Sequence, residues 1–198
     1  MNQKTLSLND RTILSMINTE SSVLDLGCGD GTLLEHLISE KKCRCHGIEI
    51  DEQAIYKCVA KGLNVIHQDI DSGLGEYNDK SFNYVILNQS IQQIKNFESV
   101  LIDSLRVGEK VIVSFPNFAF YKSRFQLFFN GRTPITKSLP YRWYQSPNIH
   151  FFTIYDFIDF CREKNIIINN RFFINNERPV RFLPNFFCQI AVFMISIN

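Results

Sequence analysis

A glycine-rich turn between two acidic residues is the part of the sequence with the clearest chemistry. It reads DLGCGDG and spans residues 25–31. Glycine-rich turns that follow an apolar strand often bind phosphate, because glycine lets backbone N–H groups approach an oxyanion closely. Here the carboxylates of Asp25 and Asp30 oppose such a ligand, since a like charge about 5 Å from a pyrophosphate costs about 1–3 kcal/mol. The turn therefore favours a ligand that is positively charged at this point.

The spacing of the glycines separates two classes of nucleotide ligand. Gly27, Gly29 and Gly31 follow the pattern GxGxG, whereas dinucleotide-binding turns follow GxGxxG. S-adenosylmethionine carries an ammonium and a sulfonium group and no phosphate, so acidic residues beside the turn would attract it. The glycine spacing and Asp25 together favour this cofactor over a nicotinamide dinucleotide, and they disfavour a nicotinamide-dependent oxidoreductase.

Polar residues also stand at the ends of the next three predicted strands. Glu49 lies 20 residues after Gly29, where a carboxylate can accept hydrogen bonds from the hydroxyls of a ribose. Asp69 could accept a hydrogen bond from an adenine amino group, Ile70 could pack on the base, and Asn88 would face the methionine end of the ligand. Taken singly, each residue has another interpretation: Glu49 as a solvated acid, Asp69 as a turn residue and Asn88 as a cap at the end of a strand. Their joint position at consecutive strand ends predicts a nucleoside site.

The elements that position these residues follow from hydrophobic periodicity, which alternates between the patterns of strands and helices. Strands are predicted at 22–26, 45–50, 65–69, 83–87, 111–115, 170–174 and 190–195. Helices are predicted to begin near Asp30, after Asp51, at about Phe97 and at Thr153. Asp30 would cap the first of these helices. This order predicts a doubly wound α/β sheet with its ligand at the carboxyl ends of the strands. Residues 1–198 form one predicted domain with an aromatic-rich insertion at about 117–152.

Composition excludes several other classes of protein. A hydrophobic content of 45% and a net charge of +1 predict a globular chain that has no overall field for a polyanion. The first eleven residues lack the apolar core of a signal peptide, and no apolar run reaches the roughly 20 residues of a membrane span. The apolar tail at 182–198 is interpreted as a buried strand, with a membrane anchor as the alternative. Together these features predict a cytoplasmic protein.

The six cysteines and the histidines bear on metal binding and catalysis. The cysteines show no CxxC spacing, which predicts reduced, partly buried thiols and no metal site. His150, in the segment PNIH, is the one plausible general base, and it fits a structural role in ordering the insertion equally well. Neither SFPN nor NQSI matches the Asn/Asp-Pro-Pro-Tyr signature of enzymes that methylate base amines. The basic and aromatic residues of the insertion therefore favour a lid or a protein contact over nucleic acid.

Longer segments of the sequence resemble known families. VLDLGCGDGTLLEHL followed by GIEID resembles class I S-adenosylmethionine-dependent methyltransferases, which implies a mostly parallel, seven-stranded Rossmann-like sheet with a C-terminal antiparallel strand. More narrowly, the chain resembles the MetW family of bacterial methionine biosynthesis over about residues 22–175. Five segments carry this narrower resemblance: VLDLGCGDGTLL (23–34), CVAKGLNVIHQDID (58–71), FNYVILNQSIQ (82–92), LRVGEKVIVSFPNF (105–118) and LPYRWYQSPNIH (139–150).

The resemblance implies a site and a partner. It places S-adenosylmethionine with its ribose at Glu49, its adenine at Asp69 and Ile70, and its sulfonium near Asn88. Its methionine moiety would lie at the turn, at Asp25, Gly27, Cys28 and Gly29. The resemblance also implies a role with homoserine O-acyltransferase, for which the aromatic insertion would be the interface. A free-standing methyltransferase that acts on a small molecule is the alternative. The sequence departs from the expected family pattern at residues 119–121 and 145–146, so the contacts of the insertion can differ.

Overall fold

A computed structural model describes residues 6–197 of the chain. The first five residues of the segment considered for a signal peptide, and Asn198 of the apolar tail, lie outside the described residues. In the described part the strands are β1 (Ser22–Leu26), β2 (Arg44–Glu49), β3 (Val65–His67), β4 (Phe82–Asn88), β5 (Gly108–Pro116), β6 (Ile167–Asn175), β7 (Arg178–Pro179) and β8 (Ile190–Ser196). The helices are α1 (Leu8–Met16), α2 (Thr32–Lys41), α3 (Glu52–Ala60), α4 (Phe97–Val107), α5 (Tyr121–Asn130), α6 (Ile154–Glu163) and α7 (Pro184–Phe187).

The strands form one sheet in the order β3-β2-β1-β4-β5-β8-β6-β7. Strands β1 to β5 are mutually parallel, and β8 runs antiparallel to both β5 and β6. The predicted α/β sheet with a C-terminal antiparallel strand is therefore confirmed. The described residues contain eight strands rather than the expected seven, because β7 adds two residues at the edge. The turn before β7 has two non-glycine residues with positive φ, Asn176 and Glu177, and therefore lacks the usual glycine signal of a tight hairpin.

Helices cover both faces of the sheet, as the doubly wound prediction requires. Strand β5 shows the division: Val111, Val113 and Phe115 lie in one core cluster with residues of α4 and α6. Ile112 points to the opposite face and belongs to a second cluster with residues of α1 and α2. Because neighbouring residues of a strand face opposite sides, near-continuous apolar strands are buried by two helical layers.

Local capping explains where several helices begin. Asp51 caps α3, as predicted, by accepting a hydrogen bond from the Gln53 N–H (2.8 Å). Thr153 and Asp156 form a reciprocal capping box at α6. At α2 the prediction was wrong by one residue: the cap position is Gly31, which has a left-handed backbone. Asp30 precedes it and accepts hydrogen bonds from the backbone N–H and the hydroxyl of Thr32.

Other sequence-based boundaries also need correction. Strand β3 ends at His67 rather than at residue 69, because Asp69 instead caps a short 3₁₀ helix, Ile70–Ser72. Three helices, α1, α5 and α7, were not predicted. Ile38 of α2 and Val59 of α3 are exposed, although both are apolar. In α3 the buried residue is Cys58.

Replacing Gly31 by alanine is expected to lower the free energy of unfolding by about 1–3 kcal/mol. Gly31 has φ of +70°, and an added Cβ would lie 2.3 Å from Cδ1 of Leu63 and 2.8 Å from Sγ of Cys58. Urea unfolding measures the change. Gly75→Ala is the matched control, because a Cβ there meets no atom within 4 Å. Equal stability of the two variants would contradict the prediction.

The insertion and the tail are both ordered parts of the domain. Within the insertion, α5 is followed by an irregular segment whose end is held by Ile149 N–H and His150 N–H, which donate to the Gln92 carbonyl (2.9 and 3.0 Å). In the tail, β8 is buried between β5 and β6, as predicted. No helix within residues 6–197 is both long and apolar enough to cross a membrane. All six cysteines are buried, and none of them forms a disulfide within residues 6–197.

Candidate cofactor site

A cavity of about 440 Å³ lies at the carboxyl ends of the parallel strands. This volume is within the range of small-molecule sites. Five of the predicted cofactor residues line it: Gly27, Glu49, Asp69, Ile70 and Asn88. The lining also includes Gln89, whose amide the sequence places with that of Asn88 at the methionine end of the ligand. The other lining residues were not singled out from the sequence: Ile50, Asp71, Ser90, Gln93, Ile94 and Lys95. The remaining predicted residues, Asp25, Cys28 and Gly29, are not part of the lining.

The glycine turn is fixed between the ends of β2 and β4. The N–H groups of Gly27 and Cys28 both donate to the Ile48 carbonyl (2.8 and 3.1 Å). Gly27 has φ of +81°, and a Cβ there would lie 3.0 Å from Cβ of Ser90. The Ser90 hydroxyl donates in turn to the carbonyl of Leu26 (2.8 Å). Only glycine combines this backbone conformation with so close an approach of the β4 loop.

Glu49 is oriented entirely by backbone donors. Its Oε2 accepts a hydrogen bond from the Gly29 N–H (2.7 Å), and its Oε1 accepts from the N–H groups of Ile50 (2.8 Å) and Asp51 (3.0 Å). An ionised carboxylate has about four acceptor positions, so one position on Oε2 is still available to a ligand hydroxyl. The buried carboxylate thus presents an acceptor of fixed direction at the cavity wall.

Three isoleucines, Ile50, Ile70 and Ile94, line this cavity with apolar side chains. Ile50 is 59% exposed, although it follows a buried strand, and Ile70 is half-buried against the core. Asp69 is exposed beside Ile70, and its Oδ1 accepts a hydrogen bond from the Asp71 N–H (2.9 Å). The carboxylate of Asp71 accepts hydrogen bonds from the N–H groups of Lys95 and Asn96, which joins the loops after β3 and β4. Apolar side chains beside a hydrogen-bond acceptor suit a purine.

Helix α1 is fastened across the end of β4 by side-chain hydrogen bonds. Oδ1 of Asn88 accepts hydrogen bonds from Nδ2 of Asn9 (2.7 Å) and from the Ser114 hydroxyl (2.8 Å). Nδ2 of Asn88 donates to Oδ1 of Asp10 (3.0 Å). Sequence reasoning missed Asn9 and Asp10 because α1 was not predicted. A signal existed, since Ser7 followed three residues later by Asp10 is a helix-start pattern, and the Ser7 hydroxyl accepts from the Asp10 N–H.

Asp25 lies beside this group without a partner for one of its oxygens. The residue is 2% exposed, and its Oδ1 makes no hydrogen bond to any residue in 6–197. Among the same residues, Oδ1 of Asn9 is likewise buried and unpartnered. Burial, and then the charges of Asp10 and Glu49, raise the pKa of Asp25 to about 8. Within residues 6–197, no lysine or arginine forms an ion pair with any of these three carboxylates. Two buried acceptors in acidic surroundings suit a ligand group that has several N–H donors and a positive charge.

Cys28 contributes to the site through its backbone. Its side chain is buried against Gly47, where an added Cβ would lie 2.6 Å from Sγ of Cys28. Burial, together with the nearby charge of Asp25, raises the pKa of the thiol far above its usual value. The thiol is therefore not a reactive group at neutral pH.

His150 is located apart from the predicted cofactor residues. It lines a separate, mainly apolar cavity of about 260 Å³, where its ring centroid is 6.1 Å from that of Phe97. Its Nε2 is buried without a hydrogen-bond partner. This placement gives His150 a packing role at the end of the insertion. A role as a general base stays a prediction.

Comparison with known proteins identifies the family. The sequence model of the family described as "Methionine biosynthesis protein MetW" matches residues 8–195. The chain belongs to the MetW family. A MetW-family relative, the bifunctional methionine biosynthesis protein MetXA/MetW of Rhodopirellula baltica, is 34% identical over 190 residues. The match covers 91% of this chain and 30% of that relative, so this MetW-family chain spans less than a third of the relative's length.

Solved structures show that this MetW-family chain has the methyltransferase fold. An S-adenosylmethionine-dependent methyltransferase from Thermotoga maritima superposes with a TM-score of 0.68 at 16% identity, covering 96% of this chain and 88% of that one. Another from Archaeoglobus fulgidus has a TM-score of 0.65 at 16% identity and covers 93% of this chain and 90% of its own. At such identity the likeness establishes the fold alone.

Proposed function

We propose that this MetW-family chain binds S-adenosylmethionine and acts with homoserine O-acyltransferase in methionine biosynthesis. The observation that carries the cofactor assignment is the pair of unpartnered buried oxygens, Oδ1 of Asp25 and Oδ1 of Asn9. An ammonium group has three donors and no acceptor, so it supplies what these oxygens lack. Its positive charge also relieves the repulsion between Asp25, Asp10 and Glu49.

The rest of the cofactor fits the neighbouring cavity. Glu49 is proposed to accept a hydrogen bond from the ribose, the base to lie between Ile50 and Ile70, and Asp69 to accept from its amino group. Asn88 is proposed to face the sulfonium end. A dinucleotide is disfavoured, because its pyrophosphate would bring further negative charge to a cluster of carboxylates.

The proposed partnership rests on the relative from Rhodopirellula baltica. Its name joins MetXA, the homoserine acyltransferase, to MetW on one polypeptide. Fusion keeps two units at high effective concentration, which is useful when they act together. The proposed location of this chain is the cytoplasm, where six buried, unpaired cysteines would stay reduced.

Two measurements test the proposal. Calorimetric titration is expected to show binding of S-adenosylmethionine and no binding of NAD. If S-adenosylmethionine gave no heat and did not compete for the site, the cofactor assignment would be wrong. The homoserine acyltransferase of the same organism is then assayed with and without this chain. Its activity is expected to rise at least severalfold when this chain is present. Unchanged activity, together with failure to co-purify, would contradict the partnership.

A second candidate function is methyl transfer to a small molecule. A second cavity, of about 550 Å³, shares Gln89 and Gln93 with the cofactor cavity. Its lining is rich in carboxamides and includes Gln92, Asn148 and Lys137. A methyl acceptor placed there would be next to the cofactor, which is the positioning that methyl transfer needs. Formation of S-adenosylhomocysteine with a small polar acceptor, without the acyltransferase, would support this function instead.

A further inference from the structure

Helix α5 and the segment around α7 present an exposed aromatic surface. Five of its seven members are exposed, namely Phe125, Phe128, Phe129, Phe182 and Phe187, and the other two, Tyr121 and Phe186, are half-buried. Phe128 is 82% exposed, and Phe129 and Phe182 are each 72% exposed. None of the seven belongs to either core cluster of the described residues. The fold therefore does not account for this concentration of aromatic side chains.

Ring contacts make the two segments into one continuous surface. The ring centroid of Phe186 lies 5.9 Å from that of Tyr121 and 6.3 Å from that of Phe125. Phe125 also contacts Phe129 at 5.9 Å. Pro184, the first residue of α7, lines a neighbouring cavity of about 550 Å³, whose lining includes none of the seven aromatic residues. A contiguous apolar patch of this kind marks an interaction site in most folded proteins.

The two segments that form the surface are rich in basic residues, of which Lys122 and Arg124 lie against its rings. Segments 121–132 and 178–188 contain five basic residues and no acidic residue: Lys122, Arg124, Arg132, Arg178 and Arg181. Within the described part of the chain, none of the five forms a salt bridge. Since the whole chain has a net charge of only +1, the rest of it is net acidic. The surface thus complements a partner that is acidic and apolar at the contact.

We infer that this aromatic surface is the docking site for the homoserine acyltransferase, an inference that rests on the proposed partnership. The relative from Rhodopirellula baltica carries both units on one chain, so a face that meets the acyltransferase is expected in the MetW unit. Phenylalanine, tyrosine and arginine are the residues enriched in such interfaces. Arg124 lies within the surface, 5.5 Å from the ring of Phe186, where a protein carboxylate could pair with it. A lipid surface would instead favour basic residues at the polar edge of one helix.

The decisive experiment compares two double variants of this chain for capture by the tagged acyltransferase of the same organism. Phe128→Ser/Phe129→Ser removes the two most exposed rings of α5. Tyr56→Ser/Ile102→Ser removes exposed apolar side chains on α3 and α4 and is the matched control. The first variant is expected to bind the acyltransferase at least tenfold more weakly. Its melting temperature and its affinity for S-adenosylmethionine are expected to match those of the wild type. The control variant is expected to bind the acyltransferase as tightly as the wild type does.

Each other outcome has a distinct meaning. If the wild type binds and both variants bind equally well, the surface assignment is overturned while the partnership stands. If the wild type does not bind at all, the partnership fails and the assignment fails with it. A third outcome is that the acyltransferase captures no wild-type chain, while the wild type floats with phosphatidylglycerol vesicles and Phe128→Ser/Phe129→Ser does not. This result would assign the surface to a membrane. A fourth outcome is that the acyltransferase again captures nothing, while light scattering shows a dimer for the wild type and a monomer for the same variant. This result would assign the surface to a second copy of the chain.

Discussion

Replacing Asp25 by asparagine is expected to weaken the binding of S-adenosylmethionine about 30-fold or more. The carboxyl is buried, has an unpartnered oxygen and lies in the field of Asp10 and Glu49. An asparagine has the same shape but no charge, and its NH₂ group would face the ammonium with a donor. Removing one partner of a buried, charged hydrogen bond costs about 2–5 kcal/mol, which corresponds to a factor of about 30 or far more.

Calorimetric titration of Asp25→Asn against the wild type measures this loss. The control is Asp159→Asn, in which an exposed carboxylate on α6 that pairs with Arg162 is changed in the same way. This variant is expected to bind the cofactor like the wild type. If Asp25→Asn bound the cofactor with undiminished affinity, the ammonium would have to lie elsewhere. That result would contradict the proposed role of Asp25. It would not contradict the cofactor assignment, because Glu49 is proposed to bind the ribose of the same cofactor.

The stability of the ligand-free protein is expected to fall as the pH rises from about 5 to about 8. The pKa of Asp25 is raised by burial, and by the nearby charges of Asp10 and Glu49, from 3.8 to about 8. Between these values the native state holds a proton that the unfolded state has released. Its stabilising contribution is therefore complete only below the unfolded pKa, and it is lost as the pH rises through the folded pKa. The expected slope is about −1.4 kcal/mol per pH unit.

Asp25→Asn isolates this effect, because the amide resembles the protonated carboxyl and does not titrate. Relative to the wild type, the variant is expected to gain stability with pH, and at pH 7 the difference is on the order of 2–4 kcal/mol. Urea unfolding at several pH values measures the two curves, and Asp159→Asn is again the control. Parallel curves for Asp25→Asn and the wild type would contradict the prediction.

Together the two effects describe an exchange of a proton for an ammonium group at Asp25. Without a ligand, the raised pKa keeps this carboxyl largely protonated at neutral pH. A bound ammonium would favour the ionised form, so binding is expected to release a proton. The pocket is thus proposed to sacrifice stability in the empty state, which is common where a protein recognises a charge.

Much of the architecture could be predicted because it depends on local patterns. Near-continuous apolar runs such as 83–87 predict strands that are buried on both faces, and the structure has β4 there. The residue that ends such a strand is then placed at the carboxyl edge of the sheet. Glu49 and Asn88 were found in this way, and both line the cavity. The family followed from longer segments, which no periodicity could have supplied.

Contacts between side chains from distant parts of the chain could not be predicted from local patterns. Asn9 and Asp10 contact Asn88 across 79 and 78 residues, and they complete the acidic group around Asp25. The aromatic surface likewise joins α5 to the segment around α7, while His150 faces a separate cavity. Periodicity predicts whether a side chain is buried, but its neighbours are set by strand order and by how helices pack across the sheet. For that reason the strands, the turn and the family are predictable from residue order, whereas the partners of Asp25 and the continuity of the aromatic surface depend on the folded chain.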